Sequence, residues 1–134
     1  MAMGYRNTFI SVSPDCPASA GVAPDRPLSI AGLEYSLLIA GPYALTGEDL
    51  ILAVHARHKA VAEADLEAFK AELMSRPHPC LRASLLPKRY GWGAHYDADA
   101  RIALYGVETD AYRRFTTEAG LPVIPAMRNR KPSR

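Results

Sequence analysis

Residues 90–107 read YGWGAHYDADARIALYGV, and this stretch decides the fold. Two runs rich in aromatic and branched residues, 90–96 and 101–107, flank the polar segment 97–100. Runs of that composition are typical of strands, and a short segment with two aspartates is typical of a turn. The stretch therefore predicts a β-hairpin with a four-residue loop.

The chain before the hairpin predicts a strand and three helices, and a fourth helix follows the hairpin. Residues 8–12 carry three bulky or β-branched apolar side chains, which favours a buried strand. Helices are predicted where a capping residue or an apolar face at helical spacing occurs. Three of them start after Ser29, Thr46 and Thr109 and end near Gly41, Lys59 and Gly120, and another covers residues 63–75. Residues 80–84 predict a further short strand, which Pro87 ends.

These elements predict an α+β fold: a small antiparallel sheet, formed by the N-terminal strand and the C-terminal hairpin, with about four helices packed on it. The length of 134 residues fits one domain. We expect residues 1–127 to form this domain and residues 14–27, which hold four prolines, to form a long loop within it. Residues 128–134 form a basic tail, which we expect to be disordered.

The net charge of +2 comes from this tail, which holds four of the 16 lysine and arginine residues. The rest of the chain has 12 basic and 14 acidic residues, so it lacks the positive field that attracts nucleic acid. The apolar runs are too short to span a bilayer, and residues 1–6 contain no apolar signal segment. Two cysteines, Cys16 and Cys80, are too few for a disulfide framework. We therefore expect a cytoplasmic protein without membrane contact, and its oligomeric state stays open.

A basic and aromatic stretch is the leading candidate for a binding surface. No aspartate or glutamate occurs from residue 73 to residue 96. The cationic and stacking groups of this stretch belong to six residues: Arg82, Lys88, Arg89, Tyr90, Trp92 and His95. Such groups hold anions, so we predict binding of a small anionic molecule or a protein partner. Two alternatives stay open: a solvated face paired with acidic residues of the helices, and contacts to single-stranded nucleic acid.

The first strand of the hairpin carries glycine at two alternate positions. In a strand, Gly91, Gly93 and His95 point to one face, while the aromatic residues point to the other. Glycine weakens a strand, so the pair indicates that something approaches this face closely. Either a helix packs tightly there, or the two glycines form the floor of a ligand groove.

The sequence leaves open whether the protein is an enzyme. Cys80 is a candidate nucleophile with His95 as its base, because a cationic neighbour lowers the pKa of a thiol. The alternative is that Cys80 is an ordinary core residue. His55 and His58 share a helical face, but no third metal ligand accompanies them. No nucleotide fingerprint or phosphate loop occurs, and we predict neither a metal nor a cofactor.

Residues 79–93 read PCLRASLLPKRYGWG and resemble a family of small bacterial and fungal proteins that is classed as a domain of unknown function. The resemblance extends to NTFI at 7–10, PY at 42–43, TGED at 46–49 and AMR at 126–128. It covers nearly the whole chain and implies a single domain. It carries no established activity over to this chain.

Overall fold

The predicted hairpin is one half of a four-stranded sheet in the computed structural model, which describes residues 5–130. The strands are β1 (Thr8–Ser11), β2 (Trp92–Tyr96), β3 (Ile102–Gly106) and β4 (Val123–Pro125), in the order β3-β2-β1-β4. In β2, Ala94 lies opposite Ile10 of β1 and Leu104 of β3, and both pairings are antiparallel. The N-terminal strand and the hairpin are therefore confirmed, although the strands of the hairpin are joined by five residues, 97–101, and not by the four predicted.

Five helices occur within residues 5–130, and the four that the sequence predicts are among them. They are α1 (Ile30–Ala40), α2 (Gly47–His58), α3 (Leu66–Met74), α4 (Leu85–Arg89) and α5 (Asp110–Thr117). At the start of α2, Thr46 and Asp49 form a reciprocal capping box, and Ser29 caps α1. These caps satisfy amide groups that have no partner inside the helix. No helix of the described chain is long and apolar enough to cross a membrane.

The α+β fold is confirmed, and the three predicted strands pair antiparallel as expected. A fourth strand that the sequence did not predict, β4, makes the sheet mixed. Ile124 of β4 lies opposite Ile10, and the two strands run parallel. The chain crosses from β3 to β4 through α5, which is the kind of connection that parallel strands require. Pro122 and Pro125 argue against a strand when the sequence is considered alone. Proline is tolerated here because β4 is an edge strand.

The segment after α3 is helical, so the short strand predicted over residues 80–84 was wrong. Leu81–Ala83 form a 3-10 turn, and α4 follows directly. The hydroxyl of Ser84 caps α4 by accepting a hydrogen bond from the amide of Leu86 at 3.0 Å. Pro87 lies in the first turn of α4, where no backbone N–H is needed, and it therefore continues the helix instead of ending the element.

Different helices cover the two faces of the sheet. On one face, Ile10 and Tyr96 belong to the main core together with buried residues of α1 and α2, among them Leu38. On the opposite face, Tyr112 of α5 meets the ring of Phe9 edge-on, with ring centroids 5.1 Å apart. Side chains of neighbouring strand residues point to opposite faces, so consecutive residues of β1 and β2 belong to different environments.

Asp15 joins the long loop to the C-terminal segment. Its carboxylate accepts hydrogen bonds from the backbone N–H groups of Asn129 at 3.0 Å and Arg130 at 3.1 Å. The Asn129 amide, followed by the hydroxyl of Ser13, holds the pKa of Asp15 well below its usual range. The start of the predicted tail therefore contacts the loop, and the rest of the tail, residues 131–134, lies outside the described residues.

We expect the stabilising effect of Asp15 to depend on pH. Because the folded state lowers the pKa of this carboxyl, the effect is fully present above the unfolded-state pKa of about 4 and is lost as the pH falls below it. Urea unfolding at pH 7 should therefore show Asp15→Ala less stable than the native protein, and the difference should shrink between pH 4 and pH 2. Asp25→Ala, which removes an exposed carboxylate of the same loop, is the control. A difference that is constant with pH would contradict the role of the charge.

Candidate functional site

A cleft opens beside the main core, between α1, α2 and the segment 78–85. Its volume is about 330 Å³. Apolar side chains form most of its wall: Ile30, Ala31, Leu50, Ile51, Val54 and Leu85. Six residues contribute polar groups: Ser29, Glu34, His55, His78, Cys80 and Ser84. Ligand pockets combine an apolar wall with a few polar groups and have volumes from about 300 Å³, so this cleft has the size and the lining for a small organic molecule.

Glu34 is the only charged residue of α1, and it faces this cleft. Its carboxylate accepts a hydrogen bond from the Ser84 hydroxyl at 2.7 Å. Burial raises the pKa of Glu34 to about 7, although the Ser84 hydrogen bond opposes that shift. Both ion pairs formed within residues 5–130 involve Arg113 of α5, so Glu34 has no cationic partner there. A carboxyl group of this kind exchanges its proton near neutral pH.

Cys80 reaches the inner end of the cleft, next to two tyrosines. Its thiol donates a hydrogen bond to the hydroxyl of Tyr5, with 3.7 Å between sulfur and oxygen. The ring of Tyr5 meets that of Tyr96 edge-on, with centroids 5.3 Å apart. Tyr96 is buried, and burial raises its pKa well above the usual range. The two hydroxyls therefore remain protonated at neutral pH and can act only as neutral hydrogen-bonding groups.

Two histidines that line the cleft, His55 and His78, stand near each other. The ring centroids of His55 and His78 are 5.7 Å apart. The Nε2 of His78 donates a hydrogen bond to the carbonyl of Leu73 at 2.7 Å, because a carbonyl oxygen can only accept. Burial, followed by the charge of His78, lowers the pKa of His55. Within residues 5–130, no three His, Cys, Asp or Glu side chains are arranged to hold a metal ion.

Cys80 and His95, the nucleophile and base considered from the sequence, lie on opposite faces of the sheet. Cys80 is on the side of Tyr96, whereas His95 is the neighbouring residue of β2 and points the other way. The His95 ring stacks on Phe115 of α5, with centroids 4.3 Å apart. The structure therefore does not bring the proposed thiol and imidazole together.

His95 belongs instead to a second polar cluster, beneath α5. Its Nδ1 shares a hydrogen bond of 2.7 Å with the hydroxyl of Tyr43, and that hydroxyl shares another of 2.8 Å with Tyr105. Burial lowers the pKa of His95 and raises the pKa of Tyr43. A cavity of about 470 Å³ lies beside this cluster and is lined by Tyr105 and Phe115. The three side chains of this cluster hydrogen-bond to one another, whereas only one oxygen of Glu34 in the first cleft has a hydrogen-bond partner within residues 5–130.

The basic residues predicted to form a binding surface contact the C-terminal segment. Arg82 donates from Nε to the carbonyl of Pro125 at 2.9 Å. Arg89 donates from Nε to Asn129 Oδ1 at 3.2 Å, and the carbonyl of Lys88 accepts from Asn129 Nδ2 at 2.8 Å. Through these contacts, Arg82, Lys88 and Arg89 hold residues 125–129 against α4 and the 3-10 turn before it.

The aromatic residues of the same stretch contact the long loop. The indole N–H of Trp92 donates to the carbonyl of Val22 at 2.8 Å, and the carbonyl of Tyr90 accepts from the amide of Val22 at 2.9 Å. Trp92 also packs against Tyr35 of α1, with ring centroids 5.5 Å apart. Trp92 and His95 therefore have separate surroundings, and the six predicted residues do not form one surface.

Glu34 and Tyr43 are among the residues of these clusters that the sequence did not single out. Glu34 is a single acid in the otherwise apolar helix IAGLEYSLLIA, and this isolation is the signal that could have identified it. Tyr43 has a positive φ of 59°, which is uncommon for a residue with a side chain, but no sequence pattern announces it. Its partnership with His95 depends on the tertiary fold alone.

The comparisons with known proteins place the chain in a family. A family model described as a family of unknown function, DUF6157, matches residues 1–132. The chain therefore belongs to this family, and the resemblance seen in the sequence is confirmed at the level of a family of unknown function. No curated protein and no solved structure matches the chain.

Proposed function

We propose that the protein binds a small, mostly apolar organic molecule in the cleft lined by Glu34 and Cys80. The observation that carries this proposal is the combination of an apolar wall, a volume of about 330 Å³ and convergent polar groups. A buried carboxyl group with a perturbed pKa in a cleft is a frequent mark of a functional site. Ser84 and α1 hold that carboxyl in place, so the polar end of the cleft is preformed.

The cleft supports a different ligand from the anionic one expected from the sequence. No lysine or arginine among the described residues lines it, so this part of the chain offers no cation for an anionic ligand. The cationic side chains of Arg82 and Arg89 contact Pro125 and Asn129 instead. Ligand binding therefore stays the proposed class of function, but its place moves from the basic and aromatic stretch to the cleft.

We expect Ile51→Trp to weaken binding in the cleft. Ile51 lines the cleft from α2, and an indole at this position would occupy the space of a ligand. Benzyl alcohol is a suitable neutral probe, and amide chemical shifts of a ¹⁵N-labelled protein report where it binds. In the native protein, the moving amides should cluster in residues 29–34 and 78–85. In the variant, we expect an affinity lower by at least about tenfold, which corresponds to about 1.4 kcal/mol.

The neighbouring residue offers a matched control. Leu52 has similar partial burial but lines a separate apolar cavity between α2 and α3. Leu52→Trp should therefore bind benzyl alcohol like the native protein, and amide spectra should show that both variants are folded. The proposal fails if benzyl alcohol leaves the cleft amides unmoved, or if Ile51→Trp and Leu52→Trp bind it equally well.

A further inference from the structure

The carboxyl group of Glu34 has unused hydrogen-bonding capacity. One of its oxygens accepts from Ser84 at 2.7 Å, and a carboxylate has room for several more donors. It lies among apolar side chains of the cleft, such as Ile30 and Leu50. Burying a carboxylate among such groups is costly unless a donor or a cation compensates for it. A ligand with a donating head group would supply that compensation.

The groups that face Glu34 offer little positive charge. The helix α2 contributes His55, and burial lowers the pKa of this residue, which keeps its ring largely neutral at pH 7. The segment 78–85 contributes His78 and the Cys80 thiol, and β2 contributes the neutral hydroxyl of Tyr96. Since no lysine or arginine of residues 5–130 lines the cleft, a cationic ligand would meet no fixed positive charge from the part of the chain that the structure describes.

We infer that the cleft selects ligands with a protonated amine next to an apolar body, and that Glu34 is the counter-ion of this amine. The inference rests on the proposed function and names its ligand class. An ammonium group offers three N–H donors, which match the unused acceptor positions of the carboxylate. A hydrogen bond between charged groups is about twice as strong as a neutral one, so the head group would decide affinity.

The test compares benzylamine, benzyl alcohol and benzoate, which share one ring and differ in head group. For the native protein we expect benzylamine to bind at least about tenfold more tightly than benzyl alcohol, and benzoate more weakly than both. Glu34→Gln should reduce the ratio of the amine and alcohol affinities to about one. The glutamine still offers an oxygen to Ser84, so the variant is expected to fold. Glu48→Gln, which changes an exposed glutamate of α2, should leave the ratio unchanged.

The pH dependence of benzylamine binding separates Glu34 from the histidines. Glu34 ionises near pH 7, whereas an alkylamine keeps its proton to about pH 10. Affinity should therefore rise from pH 6 to pH 8 in the native protein, and the part of this rise due to Glu34 should be absent from Glu34→Gln. A rise of the same size in both proteins would come from another titratable group, such as His55, and would overturn the inference.

The outcomes distinguish this inference from the proposed function. If all three probes bind in the cleft with equal affinity, or if Glu34→Gln keeps the native preference, amine selection is wrong while ligand binding stands. If benzoate binds most tightly, the cleft selects anions and the inference is overturned. If none of the three moves the cleft amides, the proposed function fails and amine selection fails with it.

Discussion

Gly93→Ala is expected to destabilise the protein by about 1–3 kcal/mol, the usual cost of forcing an extra methyl group into a packed site. A Cβ atom at this position would lie 2.5 Å from Cζ of Phe9 and 2.7 Å from Cε2 of Tyr112. Both rings are buried, and Phe9 also stacks on Phe115 at 5.0 Å, so neither ring can move away freely. The backbone of Gly93 does not have a positive φ, so the predicted loss comes from the clash alone.

Urea unfolding of Gly93→Ala, Phe9→Leu and the double variant measures this effect. Leucine has no Cζ or Cε atom, so Phe9→Leu removes the nearest contact of the added methyl group. The two substitutions should therefore cost less together than the sum of their separate costs, with a coupling of about 0.5–3 kcal/mol. If Gly93→Ala is as stable as the native protein, the strand is not packed against Phe9 as the structure has it. If the costs of the two substitutions simply add, the added methyl group does not clash with Phe9.

The close packing at Gly93 bears on the two interpretations of Gly91 and Gly93, a tightly packed helix or the floor of a ligand groove. Phe9 and Tyr112 cover Gly93, and a Cβ at Gly91 would clash with the carbonyl oxygen of Ala20. The first interpretation, a tightly packed helix, describes Gly93, because Tyr112 belongs to α5. At Gly91 a loop takes the place of the helix, and its positive φ of 80° gives a second reason for glycine. The spacing of the glycines predicts a close approach but does not say which element makes it.

The sequence predicts the start of an element well when the residues that determine it lie within a few positions of one another. The capping box of Thr46 and Asp49 places the start of α2, and Ser29 places that of α1. Alternation of side chains likewise places Trp92 and His95 on opposite faces of β2. These features depend on neighbours in the chain, so the sequence alone contains the information.

The features that the sequence did not predict depend on distant parts of the chain. β4 is a strand because it pairs with β1, more than 100 residues away, although two prolines argue against it. The candidate site likewise depends on residues that are far apart in the sequence, since Ser84 donates a hydrogen bond to Glu34, 50 residues earlier. The sequence predicts a binding surface on the basic stretch, but it does not reveal that Arg82 and Arg89 contact Pro125 and Asn129, which come more than 35 residues later. No local pattern reveals such partners.

The second large effect on stability is expected at Leu86 of α4, and the adjacent Leu85 serves for comparison. Leu86 is 0% exposed, whereas Leu85 is 42% exposed and lines the cleft. Leu86→Ala should lower the free energy of unfolding by about 2–5 kcal/mol, because it removes buried apolar contacts and leaves a cavity. Leu85→Ala should cost less than about 1 kcal/mol, since its side chain keeps much of its contact with water. Both substitutions change helix propensity equally, so the difference between them isolates burial.

The same pair also separates stability from binding, because the two side chains point to different places. Leu85 forms part of the cleft wall, so Leu85→Ala should weaken benzyl alcohol binding while the urea midpoint stays close to that of the native protein. Leu86→Ala should show the opposite pattern at a temperature where it is still folded: a lower midpoint and nearly native affinity. Equal midpoints for the two variants would mean that α4 does not bury Leu86. In that case the wall that α4 gives to the cleft would be placed wrongly as well.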